Sequence, residues 1–418
     1  MLTARHLTFW PLALALLLAG PASAFDLADG DRVVLVGNTF VERDQTRGYL
    51  EAALTLRHPG QHLVFRNLGW SGDTVFGEAR ASFDPPPVGF ARLKEHVLAL
   101  KPTVILVGYG GVESFEGEPG LPRFREGLKT LLDTLAETRA RIVILSPLRH
   151  EDLGRPLPDP ARHNDDLKRY RDALKQAAVA RNAPFVDLFD ALEDGAKASP
   201  RRPLTDNGLH PNAYGAWRMA AAIERGLGID PVRWRVEIGA GGKPVETLGT
   251  KLSGLVADAD GVKFEALDAT LPDPPCPSAT QPDEARTLRF RGLQPGDSQY
   301  TLSIDGKRIA TADAVSWSVG VDLAQVWARG VGKGKVPEFQ QVEALRLATV
   351  AKNRLYFHRW RPENETYLFG FRKHEQGKNG AEIVQFDPLI AEQEAAIFAL
   401  AVPLAHQYAL VREREVGR

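Results

Sequence analysis

The first half of the chain predicts an α/β fold, a doubly wound parallel sheet, on two observations. Short, nearly continuous apolar runs recur between residues 32 and 188, and helix-period segments separate them. Strands buried on both faces lose the alternation of a half-exposed strand, and parallel neighbours need a crossover that is usually helical. The runs lie at 32–36, 62–66, 103–107, 141–145 and 184–188, with helical patterns such as 124–136 and 165–180 between them.

Ahead of the first strand stands a separate signal. Residues 7–18 are almost wholly apolar, follow Arg5 and His6, and lead to Ala22-Ser23-Ala24. A weakly basic start, a short apolar run and a small-x-small exit define a secretory leader at 1–24, with cleavage expected before Phe25. The mature protein is then expected outside the cytoplasm, periplasmic or extracellular. No later stretch approaches the ~18 uncharged apolar residues of a membrane span.

After Gly228 the pattern changes. Glycine, proline and threonine become frequent, 287–291 and 300–304 read as strands, and Asp305-Gly306 reads as a hairpin turn. The expected organisation is an α/β domain at 25–228, a β-sandwich-like, antiparallel accessory domain at 229–330, and a C-terminal helical segment at 331–418 packing on the α/β domain. Residues 338–360 read as one long helix stopped by Pro362, and 389–400 as a closing helix. A proline-rich stretch, 272–282, reads as a loop holding Cys276.

Composition excludes several functions. Lys+Arg number 52 and Asp+Glu 53, without a basic stripe, which argues against a nucleic-acid partner. The single cysteine cannot close an internal disulfide. Histidines are scattered without ligand spacing, so no metal and no cofactor is expected.

In an open parallel sheet, ligands bind at the carboxyl ends of strands, so the loops there are the candidate site. They read Gly37-Asn38-Thr39, Gly69-Trp70-Ser71-Gly72-Asp73, Gly110-Gly111-Val112-Glu113 and, late in the domain, Asp206-Asn207-Gly208-Leu209-His210. In this order they resemble the four blocks of the SGNH (GDSL-like) hydrolase family: Gly-Asp-Ser, Ser-Gly, Gly-x-Asn-Asp and Asp-x-x-His. The resemblance covers roughly residues 30–225 and implies a flavodoxin-like sheet and an ester hydrolase.

Block by block, it implies Thr39 at the nucleophile position, Gly72 as backbone donor to the oxyanion, and His210 as general base. Val112 stands where an asparagine donor is expected. Asn207 replaces the orienting aspartate, with Asp206 beside it. The segment from Phe357 to Glu375 is similar to the C-terminal part of uncharacterised secreted members from planctomycetes and related bacteria.

Physical chemistry leaves two readings of Thr39. Its hydroxyl is a nucleophile whose methyl crowds the approach to a carbonyl, or it caps the helix beginning near Val41. Asn207 can accept a bond from the imidazole N–H, although it would stabilise imidazolium poorly; alternatively Asp206 turns inward. Ser71, in a partial Gly-x-Ser-x-Gly context, is a second candidate alcohol. His358, Arg372, His374 and Glu375 either replace lost site groups or form a packing surface. The expected substrate is a carbohydrate or similar small-molecule ester; the alternative is a catalytically inactive carbohydrate- or surface-binding protein on the same scaffold.

Overall fold

The computed structural model describes residues 25–192, 202–258, 261–277, 286–296, 298–329, 336–375 and 379–413. The leader at 1–24 lies outside them.

Five strands form one parallel sheet: β1 (Arg32–Gly37), β2 (Val64–Asn67), β3 (Val104–Gly108), β4 (Arg141–Leu145) and β5 (Phe185–Val186), in the order β2-β1-β3-β4-β5. This is the flavodoxin-like order. Val33 and Leu35 of β1 point into one core while Val34 and Val36 point into the other, so both faces are covered. β5 is shorter than its apolar run because Asp187 leaves the sheet to cap the helix Leu188–Ala191, accepting from the Asp190 N–H. At the carboxyl edge, β1 and β3 come very close. A Cβ on Gly37 would lie 2.4 Å from the Gly108 carbonyl oxygen.

The β unit has two sheets. One runs β13 (Val321–Asp322), β10 (Arg286–Phe290), β6 (Trp234–Ile238), β7 (Pro244–Leu248). The other runs β12 (Lys307–Asp313), β11 (Gln299–Ile304), β14 (Ala405–Arg412), β9 (Gly261–Asp268), β8 (Thr250–Ala257). Trp234, Phe264, Phe290, Trp317 and Tyr408 fill the core they share. The turn at Asp305-Gly306 joins β11 to β12 with positive φ at both residues, as a tight hairpin requires.

Two expectations are corrected here. The unit is not wholly antiparallel, because β10 pairs in parallel with β6. Nor does it end near residue 330. Residues 405–412 return to it as β14, between β9 and β11, so the C-terminal segment is not purely helical.

The long helix Pro337–Trp360 joins the two units. Near its start, Glu338 accepts from Arg286, 2.5 Å away and itself paired with Asp268 inside the β unit. Further along, fully buried Lys352 donates to Glu51 at 2.5 Å and to the Phe65 carbonyl at 3.1 Å, inside the α/β domain. Asn353 donates to the other Glu51 oxygen at 3.2 Å. Burial drives the Glu51 carboxyl up and the Lys352 ammonium down, each opposed by its partner. Removing one member of a buried pair strands the other charge without solvent. Lys352→Ala is therefore expected to cost about 3–5 kcal/mol in urea unfolding, and Lys352→Met with Glu51→Gln to recover most of it. Equal stability of the wild type and Lys352→Ala would refute this.

Candidate active site

The first three loops meet at the carboxyl edge of the sheet, and the fourth is joined to the segment after β4 through Glu151. The Asn38 N–H donates to the Gly108 carbonyl (3.1 Å), after which the chain turns into the helix Thr39–Asp44. Thr39 is the first helical residue, with Asn38 at the cap position and no side-chain cap bond. The capping role considered for Thr39 is thus replaced: its hydroxyl oxygen accepts the Gly72 N–H at 3.1 Å.

The second loop is fixed on all sides. Trp70 N–H donates to the Gly37 carbonyl (2.9 Å), Asn67 donates to the Val41 carbonyl (2.7 Å), and Gly69 N–H donates back to Asn67 (2.8 Å). Gly69 must be glycine, since a Cβ there would stand 2.3 Å from the Glu42 nitrogen. Gly72 adopts φ +74, open to glycine at no steric cost. Beneath it, Asp73 accepts from Arg80 (2.7 Å) and Tyr109 (3.0 Å) in a fully buried network. Arg80 also donates to the Leu68 carbonyl (2.8 Å).

Glu113 ties the third loop to the second, accepting the Val75 N–H at 2.8 Å and the Gly110 N–H at 2.9 Å. Burial lifts its carboxyl to about 7. Val112, in the place of a side-chain donor, offers none.

The last loop hangs on buried Glu151, which accepts from the backbone of Leu204 (3.0 Å) and Thr205 (2.9 Å) and from the Thr205 hydroxyl (2.7 Å). There the Asn207 amide runs opposite to expectation. Its oxygen accepts the Leu209 and His210 N–H groups (3.2 and 3.0 Å), leaving its NH2 to face His210 Nδ1 at 3.0 Å. An NH2 donates, so Nδ1 is the accepting nitrogen and the neutral ring carries its proton on Nε2. Asp206 is exposed and its carboxylate does not hydrogen-bond the ring; its backbone N–H donates to the His210 carbonyl (2.9 Å), and its charge acts on the imidazole. Burial first, then Arg43 on the Thr39 helix, hold His210 below the usual histidine value, against Asp206.

Thr39 and Gly72 are therefore in direct contact, as are Asn207 and His210. No hydrogen bond joins Thr39 to His210 among the described residues. Ser71 is exposed and its backbone N–H donates to Glu42. Arg372 and Glu375 pair with each other, His374 is exposed, and His358 packs against Phe357 and Phe386, the packing-surface alternative for this segment.

Sequence reasoning missed several neighbours. Phe115, His163 and His150 form a stack, with ring centres 4.1 and 4.5 Å apart. Burial, His163 and His210 press His150 to about 4, so it is neutral. A cavity of about 460 Å3 opens beside the His210 loop, lined by His150, Asp152, Asn164, Asp165, Thr205 and Pro211. His150 follows β4, but Phe115 and His163 lie in helical segments, and no motif in the sequence marked them.

Residues 34–218 match the family described as GDSL-like Lipase/Acylhydrolase, and this stretch is a GDSL-like domain. Among solved structures, a gut microbial diltiazem-metabolizing enzyme shares the fold with TM-score 0.70 at 17% identity, over 92% of this chain and 98% of that one. An acetylxylan esterase from Geobacillus stearothermophilus (20% identity, TM-score 0.39) overlaps 48% of this chain and 96% of its own. An alpha/beta hydrolase from the metagenome of Lake Arreo, Spain (20% identity, TM-score 0.40) overlaps 48% and 97%. No protein of curated function matches.

Glu113 gives the site a pH signature. Between 4.5 and about 7 the folded protein keeps a proton that the unfolded chain has released. Its contribution to stability is thus greatest on the acid side and falls as pH rises through that window. Glu113→Gln cannot ionise. Its loss of unfolding free energy between pH 5 and pH 8 is expected to be smaller than the wild type's by about 2–3 kcal/mol. Denaturant titrations at the two pH values check this; parallel losses would contradict it.

Proposed function

We propose that the chain hydrolyses acyl esters, acetyl esters included, of carbohydrate or similar exported substrates, with an atypical Thr-His site. The observation that carries this reading is the 3.1 Å contact between the Gly72 N–H and the Thr39 hydroxyl, which sets an oxyanion donor beside an alcohol. In the proposed reaction, the Thr39 oxygen attacks the ester carbonyl and its proton passes to His210. The backbone N–H groups of Gly72 and Thr39 take the negative charge. Collapse of the tetrahedral intermediate expels the alcohol, which takes the proton from His210, and water then releases the acyl group by the reverse path.

The cavity of about 460 Å3 beside the His210 loop is where the alcohol part fits best. Acids (Asp152, Asp159, Asp165) and bases (Arg149 and Lys168, the latter paired with Asp165) both line it, a polar wall that suits a hydroxyl-rich alcohol. The apolar leader at 1–24 accords with an exported substrate.

A second reading, a catalytically inactive binding protein on the same scaffold, is favoured by the Asn207 amide. With the proton on Nε2, His210 has no lone pair there to accept one from Thr39. The ring must change tautomer before it acts as a base, which makes the unaltered site slow.

These readings separate in one series. Asn207→Asp turns the donor at Nδ1 into an acceptor and restores the working tautomer. It is expected to raise turnover of short-chain acyl esters by at least about tenfold, within the roughly 10⁴ that the reverse exchange costs a serine protease. Thr39→Ser, by relieving the methyl clash, is expected to raise it too, and His210→Ala to abolish it. The acid limb of kcat/KM should have its midpoint below 6.5, because His210 must be neutral and is held below that value. Turnover unchanged by His210→Ala would overturn the mechanism. No hydrolysis even in the Thr39→Ser, Asn207→Asp double variant would establish the binding reading.

A further inference from the structure

Two adjacent residues of the C-terminal half meet the site loop at Trp70: the Trp360 ring, edge-on at 5.8 Å, and Arg361. The long helix ends at Trp360 because Pro362 lacks an N–H and crowds the residue before it. Arg361 accordingly leaves helical geometry, at φ −133 and ψ 69. Its guanidinium lies over the Trp70 ring, 3.5 Å from the centroid, and its Nη1 donates to Glu42 at 3.3 Å. The same Glu42 oxygen accepts the Ser71 N–H.

The next residue is Gly72, whose N–H meets the Thr39 hydroxyl at 3.1 Å. Gly72 has no side chain to anchor it, and a Cβ there would find nothing within 4 Å. Its position depends on its neighbours: Asp73, buried against Arg80 and Tyr109 with its N–H on the Trp70 carbonyl; the Trp70 ring, packed against Arg361, Arg80 and Trp360; and the Ser71 N–H, held by Glu42. Glu42 is mostly buried, with 19% of its side chain exposed, and Arg361 is its only ion-pair partner among the described residues.

From this chain of contacts we propose that Arg361 is a positioning residue for the oxyanion donor. Through Glu42 and Trp70 it fixes the turn that presents the Gly72 N–H, so the C-terminal segment completes the α/β site from outside it. This rests on the ester-hydrolase reading for its kinetic consequence but not for its structural one.

A misplaced oxyanion donor costs the transition state more than the bound substrate. In the Thr39→Ser, Asn207→Asp background, Arg361→Ala should lower kcat about 10–100-fold with KM within about twofold. Arg361→Lys keeps the charge but not the flat stack, and should fall between. Free guanidinium, at a concentration that does not unfold the protein, should restore part of the rate to Arg361→Ala and none to Arg361→Lys. Hydrogen exchange in the unaltered full chain supplies the readout that needs no turnover. Arg361→Ala should speed exchange at Ser71 and Gly72 while the strands of the parallel sheet keep their protection.

Unchanged exchange at Ser71 and Gly72 would overturn the proposal, whatever the kinetics. So would an Arg361→Ala enzyme that keeps its kcat. If the parent hydrolyses no ester, the ester-hydrolase reading fails, and the exchange result alone decides whether Arg361 holds the turn.

Discussion

The parallel pairing of β1 with β2 on one side and β3 on the other is the constraint from which the site follows. Parallel strands send all their carboxyl ends to one edge, so the loops beginning at Asn38, Leu68 and Tyr109 emerge side by side. Glycine at the rim lets them close up: Gly37 against Gly108, Gly69 against Glu42. Once the backbones are this near, the remaining contacts are short and local. The Asn38 amide stands 3.2 Å from where a Gly111 Cβ would be, and Gly72 meets Thr39. Buried polar groups then lock the loops from below, with Asp73, Arg80 and Glu113 each holding backbone or partner.

The rest of the chain is attached to that edge rather than hung from it. One helix carries Glu338 into the β unit and Lys352 into the α/β domain, and then delivers Arg361 to Trp70. Strand β14 returns between β9 and β11, closing the connection. A chain built this way cannot easily separate its α/β domain from its C-terminal half, and the shared fold with the gut microbial enzyme spans both.

Much of this was legible in sequence, for identifiable reasons. β1, β3 and β4 are nearly continuous apolar runs because both faces are buried, and the order of the four loops carried the family resemblance. β8 was not legible, since most of its residues face solvent and leave no pattern. β14 does alternate, with His406, Tyr408 and Leu410 inward, but its place beside β9, about 140 residues earlier, is a long-range pairing that local pattern does not encode. The site divides the same way. Thr39 and Gly72, expected together from loop position, are in contact, whereas among the described residues His210 is hydrogen-bonded to neither. Glu42 and Arg361 act across 319 residues of sequence, and their partnership exists only in the fold.

The Asn207 amide marks the limit of residue-by-residue transfer. The sequence gives its position beside His210, but its direction is set by the turn, where two backbone N–H groups claim the oxygen and leave the NH2 for the ring. An aspartate in that place has no NH2 to offer, so one substitution changes the imidazole's tautomer as well as its charge environment. In the proposed Thr-His reaction, that single orientation decides whether the site rests ready or must rearrange before each turnover. Nitrogen NMR of the His210 side chain, in protein labelled on histidine and held above the imidazole's titration, reads it directly. A protonated Nε2 and an unprotonated, hydrogen-bonded Nδ1 are expected; a ring protonated on Nδ1 would contradict the orientation of the Asn207 amide.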